Sequence, residues 1–121
     1  MPSIRYGYHA TVASYVPDIA RVGLVPNDGT RGMWPDELAV KGFLFFCDDL
    51  EGARYYQEQL RSAEPSFVLR FPRPKSSARD PNGDMMGERR SSVTVSGADI
   101  EIEIDGGWMP LVGLDESVLE R

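Results

Sequence analysis

The chain has little cysteine, little histidine and no long apolar run: its 121 residues include one Cys, one His and five Met. The single cysteine, Cys47, excludes an intramolecular disulfide and a cysteine-based metal site. No segment approaches the roughly 18 apolar residues that a membrane-spanning helix needs, and the first ten residues lack the pattern of a secretory signal. We therefore expect a soluble, cytoplasmic protein that has no membrane partner and needs no metal.

Positive charge is also scarce: the chain has 13 Lys and Arg residues and 19 Asp and Glu residues, which gives a net charge of −6. Binding to nucleic acid or to an anionic membrane requires a cationic surface, so general attraction of this kind is not expected. A local basic patch is still compatible with the composition. The hydrophobic fraction of 41% is that of a globular protein, and the length predicts a single domain over residues 1–121.

The first elements are predicted from alternation and from helix boundary residues. Residues 4–9 alternate between apolar and polar positions, which predicts a half-buried strand with Arg5 and His9 on one face. Pro17 is suited to the start of a helix and Gly23 to its end, so a short helix is expected over residues 17–22. The single histidine of the chain thus lies close to the end of the first strand.

The middle of the chain predicts a strand followed by a second helix. Residues 27–41 indicate an irregular connection, and the apolar run 42–47 predicts a central strand. Asp48 or Asp49 can cap the helix that follows. Tyr55 falls outside its apolar stripe, which is formed by Leu50, Ala53, Tyr56 and Leu60.

The second half of the chain is rich in strand signals. Residues 66–71, 92–95 and 100–104 each predict a strand by their β-branched and aromatic content or by alternation. Between the first two of these strands, residues 72–91 form a long irregular loop, and loops of this length in compact domains are usually functional or disordered. The order of elements favours an α+β fold whose second half is largely antiparallel.

Three short motifs resemble one family. The stretches "YHAT", "IARVGLVP" and "GFLFFCDDLEGARYYQ" are similar to segments of the ADP-ribosyltransferase superfamily, in the branch defined by His, Tyr and Glu that includes poly(ADP-ribose) polymerases and diphtheria toxin. The resemblance covers most of residues 4–105. It implies an ADP-ribosyltransferase-like fold with a split, mixed or antiparallel sheet and two short helices.

The resemblance also implies NAD as a co-substrate, without a metal. In this family-based assignment His9 contacts the adenine-side ribose, Thr11 supports the same region and Tyr55 stacks on nicotinamide. The other positions matched to cofactor binding are Arg5, Ala10, Gly42 and Phe43. Two positions depart from the family pattern, since Ala10 replaces a glycine and Leu44 replaces a tyrosine.

A catalytic carboxylate completes the predicted site. Cleavage of the bond between nicotinamide and ribose builds positive charge on the sugar, which a nearby carboxylate stabilises in the transition state. Glu88 is our first choice, because it comes just before the predicted fourth strand. Glu101 and Glu103 are alternatives, because their Glu-Ile-Glu sequence resembles another branch in which an Arg and a Ser-Thr-Ser motif complete the site. Arg5 and the sequence "SSVT" would then supply those parts.

The predicted function is transfer of ADP-ribose from NAD to an unidentified protein or nucleic acid, a glycosyltransferase-class reaction. One alternative is an inactive ADP-ribosyltransferase-like binding module, which the departures at Ala10 and Leu44 favour. Another is an enzyme like the RNA 2′-phosphotransferases, which resemble a pattern richer in His and Arg than this one. The basic residues of the long loop and its flanks are candidates for binding pyrophosphate or nucleic acid: Arg73, Lys75, Arg79, Arg89 and Arg90.

Overall fold

A computed structural model describes residues 5–26, 44–60, 64–75, 77–79 and 88–120 of the chain. Gly42 and Phe43, two of the positions matched to NAD binding, lie outside these ranges. The α-helices are α1 (Val16–Val22) and α2 (Leu50–Gln59), and neither is long and apolar enough to span a membrane. The strands are β1 (Tyr6–Val12), β2 (Leu44–Cys47), β3 (Ser66–Pro72), β4 (Ala78–Arg79), β5 (Glu88–Ser91), β6 (Glu101–Ile104) and β7 (Gly107–Pro110).

Within the described ranges, all of these strands belong to one seven-stranded sheet in the order β4-β5-β2-β1-β3-β6-β7. Every neighbouring pair is antiparallel. The predicted α+β class is confirmed, but the predicted split into two half-sheets is not present among these strands. A single register pair, Tyr8 with Cys47, joins β1 to β2 and keeps the sheet continuous.

One face of the sheet, which we call the α1 face, carries the main apolar core. Phe71 and Leu69 of β3 are fully buried in it, and Val16 and Ile19 of α1 are buried beside them. Gly7 and His9 pair directly with these β3 residues, and directly paired residues project to the same side of a sheet. His9 therefore lies on the α1 face.

Gly7 is required by close packing on this face. A Cβ atom at this position would lie 2.7 Å from side-chain atoms of both Phe46 and Phe71. These two rings meet edge to face, with their centroids 5.3 Å apart, directly over the glycine. The glycine thus allows aromatic side chains from the strands on either side of β1 to touch each other.

The opposite face, the α2 face, carries the second helix. Asp49 caps α2, because its carboxylate accepts a 2.7 Å hydrogen bond from the backbone N–H of Gly52, so one of the two predicted caps is confirmed. Ala53 is buried against the sheet, and Tyr55 is 46% exposed, as its position outside the apolar stripe predicts. Gln57 fixes the end of the helix by donating a hydrogen bond to the carbonyl of Ser66.

The strand predicted over residues 92–95 is wrong, and the strand in this region is β5. Its residues pair with β2, where Leu44 lies opposite Ser91 and Phe46 opposite Arg89. The apolar β2 strand needs a partner on its outer edge, and this long-range pairing outweighs the local preference of the following valines. The segment predicted as an irregular loop, residues 72–91, therefore contains β4 and β5 as well as the end of β3.

The hairpin between β6 and β7 was absent from the sequence prediction. Asp105 and Gly106 form its turn, with φ angles of 52° and 83°. Two successive positive φ angles are typical of the type I′ turn, for which Asp-Gly is a favoured sequence. The turn signal was thus present in the chain next to the predicted strand.

Candidate functional site

The sheet opens between β1 and β2. The register of these strands contains one pair, Tyr8 with Cys47. By the same register Ala10 lies across from Phe45, one step beyond this pair. We call the gap bounded by Ala10 and Phe45 the fork.

The backbone of Ala10 faces the fork. On the β3 side, the backbone bonds are made by odd-numbered residues: Arg73 N donates to Arg5 O at 2.8 Å, and Ala13 N donates to Pro65 O at 2.9 Å. In an antiparallel strand, successive residues direct their N–H and C=O groups to opposite sides. The even-numbered Ala10 therefore presents one donor and one acceptor towards β2, where the strand pairing has ended.

His9 spans the same gap through its side chain. Its Nδ1 donates a 3.0 Å hydrogen bond to the carbonyl oxygen of Phe45 on β2. Burial lowers the pKa of His9, an effect that the bond to Phe45 partly offsets. The neutral imidazole that results has its proton on Nδ1, so Nε2 is a hydrogen-bond acceptor.

Two other residues matched to NAD binding, one on β1 and one just before it, lie at different distances from the fork. Thr11 is 4% exposed, on the same face as His9 and opposite Phe67 of β3. Arg5 is exposed and precedes the strand, four residues from His9, which corresponds to about 13 Å along an extended chain. Of the β1 positions, Ala10 and His9 are thus the ones that meet at the fork.

Tyr55 lies on the other side of the sheet from His9. The neighbouring α2 residue Arg54 forms an ion pair with Glu103, whereas Ile102, one position earlier on β6, is buried in the core of the α1 face. Because strand side chains alternate between faces, α2 covers the face opposite to His9. The expectation that His9 and Tyr55 line a single crevice is therefore not met, since the sheet lies between them.

Both of the alternative carboxylates are ion-paired. Glu101 accepts a 2.9 Å hydrogen bond from Nε of Arg70, and Glu103 accepts two bonds, of 2.9 and 2.7 Å, from Arg54. The hydrogen bond to Glu103 raises the pKa of Arg54. The arginines that contact these glutamates come from β3 and α2, and the alternative in which Arg5 completes their motif stays a prediction.

Glu88 is the first residue of β5, and its backbone pairs with Cys47 of β2. Cys47 in turn pairs with Tyr8 of β1. Strands in a sheet lie about 4.8 Å apart, so the Glu88 backbone is roughly 10 Å from that of Tyr8. Its position is thus one strand beyond β2, at the level where the fork begins.

Sequence reasoning missed an aromatic and cationic cluster on the α2 face. The guanidinium of Arg70 lies between two rings, 4.7 Å from the centroid of Tyr6 and 4.4 Å from that of Trp108. Tyr8 adds a third ring, 6.2 Å from Trp108. The alternation of Tyr6 and Tyr8 was visible in the chain, but β7, which carries Trp108, was not predicted.

A surface depression of about 470 Å³ lies apart from these residues. It is lined by Ala13, Ser14, Glu64, Pro65, Glu116, Leu119 and Glu120. None of the predicted site residues contributes to it, and three of its side chains are glutamates. In the part of the chain that the structure covers, no three His, Cys, Asp or Glu residues are grouped to hold a metal ion.

The fold and the site define an α+β domain with a fork in an antiparallel sheet and a neutral histidine across it. No protein-family model, curated protein or solved structure matches the chain.

Proposed function

We propose that the chain binds NAD at the fork and transfers ADP-ribose to an acceptor, which is a protein or a nucleic acid. The observation that carries the proposal is the bond from His9 to Phe45, which lies next to Ala10, one step beyond the Tyr8–Cys47 pair of β1 and β2. Family resemblance in the sequence led to the same two residues.

The nicotinamide group complements the edge of β1 at Ala10. A primary carboxamide has an NH₂ donor and a C=O acceptor, so it can form the pair of hydrogen bonds that a neighbouring strand would otherwise form. Binding by backbone edges is a general mode of recognition, in which main-chain hydrogen bonds supply affinity. In this proposal the carboxamide takes the place of Phe45 opposite Ala10.

His9 would hold the sugar. The bond from its Nδ1 to the Phe45 carbonyl fixes the orientation of the ring, and the lowered pKa keeps Nε2 free of a proton. An unprotonated Nε2 accepts a hydrogen bond from a ribose hydroxyl. A histidine that was charged at neutral pH would instead donate from both nitrogens.

The reaction breaks the bond between ribose C1′ and the nicotinamide nitrogen, and the bonding electrons leave with nicotinamide. Positive charge develops on the sugar, and the acceptor nucleophile then attacks C1′ and loses its proton. We assign the stabilising carboxylate to Glu88, since Glu101 and Glu103 are already neutralised by arginines. Glu88 stands at the start of β5, where its backbone pairs with Cys47 of β2.

A second candidate function is nucleotide binding without turnover. It is favoured by the position of Tyr55, which is separated from His9 by the sheet, and by the absence of an aromatic residue at Leu44. A site that lacks a ring over nicotinamide would still offer the hydrogen bonds of Ala10 and His9. In that case NAD would bind and remain intact.

Calorimetry with NAD, followed by an assay for released nicotinamide, separates these functions. We expect the wild type to bind NAD and release nicotinamide, and Glu88→Gln to keep binding while turnover falls about 100-fold or more, as for loss of a key charge-stabilising group. Glu58→Gln, at an exposed position on α2, is the matched control. Binding without release indicates the module, and absence of binding contradicts both functions. Wild-type turnover in Glu88→Gln would remove that residue from the mechanism.

A further inference from the structure

Arg73 closes the end of the β1–β2 junction opposite to the fork. Its Nη2 donates to the carbonyl oxygens of Tyr6 and Asp48, at 3.3 and 3.2 Å. The Tyr8–Cys47 pair separates this end from Ala10. Arg73 thus bridges the same two strands that diverge at the fork.

The guanidinium of Arg73 has donor capacity left over. Its Nε is buried and has no hydrogen-bond partner among the residues that the structure describes. Buried polar groups are nearly always hydrogen-bonded, so an unpartnered N–H of a charged group indicates a missing acceptor. The acceptor that fits a cationic N–H best is an anionic oxygen.

Two more arginines act on this group. The backbone N–H of Arg73 donates a 2.8 Å hydrogen bond to the carbonyl oxygen of Arg5, and Arg89 acts through its charge. Burial is the main cause that lowers the pKa of Arg73, and the positive charges of Arg89 and Arg5 lower it further, against the opposing effect of Asp48. Arg89 is held in place by Ser77, which accepts bonds at its hydroxyl and its carbonyl, of 3.3 and 3.2 Å. The positive charges of Arg5 and Arg89 therefore act on Arg73, in a chain whose net charge is −6.

We propose that Arg5, Arg73 and Arg89 form a binding site for the phosphate group of a nucleotide. Guanidinium groups offer planar sets of N–H donors that match phosphate oxygens, and a phosphate would offset the repulsion among the three cations. It would also provide the acceptor that Nε of Arg73 lacks. The chain thus has one local anion site despite its overall negative charge.

The phosphate has two possible sources. The assignment of either source rests on the proposed function. One source is the diphosphate of NAD bound at the fork, since Tyr6 and Ala10 are four residues apart, or about 13 Å along the strand. The other is the phosphodiester of a nucleic-acid acceptor. The existence of the site itself does not depend on either source, because inorganic pyrophosphate contains the same chemical group.

The test is binding of inorganic pyrophosphate to the full chain, measured by calorimetry at low salt. We expect binding that weakens about tenfold in Arg5→Gln and Arg89→Gln, because each removes one charge-assisted contact, and by less than about twofold in Arg21→Gln. Arg21 is exposed, pairs with Asp18 on α1 and provides the same change in net charge. Arg5 is exposed, and its guanidinium donates no hydrogen bond to the residues that the structure describes. The Arg5→Gln variant should therefore fold even if Arg89→Gln does not.

Absence of pyrophosphate binding, or equal weakening by all three variants, would overturn the site. Competition then identifies the source: displacement by NAD indicates the dinucleotide, and displacement by a single-stranded RNA of about ten nucleotides indicates the acceptor. If neither NAD nor the RNA displaces pyrophosphate, the proposal that this site binds the phosphate of a nucleotide is contradicted. If pyrophosphate binds and NAD does not, the function proposed above fails while the anion site stands.

Discussion

The two faces of the sheet are covered by different kinds of side chain. On the α1 face, Leu69, Phe71 and Ile102 have no exposed surface and belong to one continuous apolar core. On the α2 face, the buried apolar surface is smaller and includes Ala53 and Val68, and ion pairs lie beside it. Apolar packing is thus concentrated on one face, while ion pairs and contacts between Arg70 and aromatic rings lie on the other.

The largest expected effect comes from removing a ring on the α1 face. Phe71→Ala should lower the free energy of unfolding by about 3–5 kcal/mol, because it leaves a cavity that the surrounding sheet cannot fill. Trp108→Ala on the α2 face is the comparison, and since Trp108 is partly exposed its cost should be clearly smaller. Urea denaturation measures both values. Equal losses would contradict the contrast between the two faces.

Overpacking on the α1 face should have the next largest effect. Gly7→Ala inserts a methyl group between Phe46 and Phe71, and we expect a loss of about 1–3 kcal/mol. Gly107→Ala is the matched control, because the nearest atom to its added Cβ, the Ile104 carbonyl oxygen, lies 3.8 Å away. Thermal unfolding of the two variants compares them directly. A stable Gly7→Ala protein would show that the rings can move apart freely.

The ion pairs of the α2 face should contribute little to stability. Arg54→Ala removes the partner of Glu103 and should cost about 0.2–1 kcal/mol, because the Arg54 side chain is 46% exposed and its charge is screened by water. The effect should shrink further at about 1 M salt, where the screening length is a few ångströms. Denaturant titrations at two salt concentrations provide the measurement. A loss that is large and insensitive to salt would mean that this face is more rigid than we infer.

The smallest expected effect is the pH response of His9. Its pKa is lowered in the folded chain, so the unfolded chain binds the proton more readily, and stability should fall as the pH drops below about 6.5 towards the lowered value. The trend should be weaker in His9→Gln, which lacks the titrating group. Because the chain has one histidine, a single imidazole NMR signal reports the pKa. A midpoint at or above 6.5 would contradict a neutral, half-buried ring.

Local features of the molecule could be predicted from the sequence. The Asp49 cap, the exposure of Tyr55 and the position of His9 on a strand follow from spacing and side-chain chemistry within a few residues. Long-range features could not. The valines of residues 92–95 favour a strand locally, but the free edge of β2 selects residues 88–91 as its partner.

The main feature of the site that sequence reasoning missed is also non-local. Spacing shows which residues of α2 face the sheet, but it does not show which side of the sheet the helix covers. That choice puts Tyr55 and His9 on opposite faces. The opening between β1 and β2 depends in the same way on where strand pairing stops, which no local pattern records. The resemblance in the motifs identified His9 and Ala10 without indicating that they meet at a fork.

The most direct test of the fork is the backbone amide signal of Ala10 in a ¹⁵N-labelled protein, followed by NMR as nicotinamide and then NAD are added. We predict that this amide and the His9 imidazole shift more than the signals of α1, and that exchange of the Ala10 amide with solvent slows. Shifts confined to other parts of the chain, with the Ala10 amide unchanged at saturation, would contradict the account.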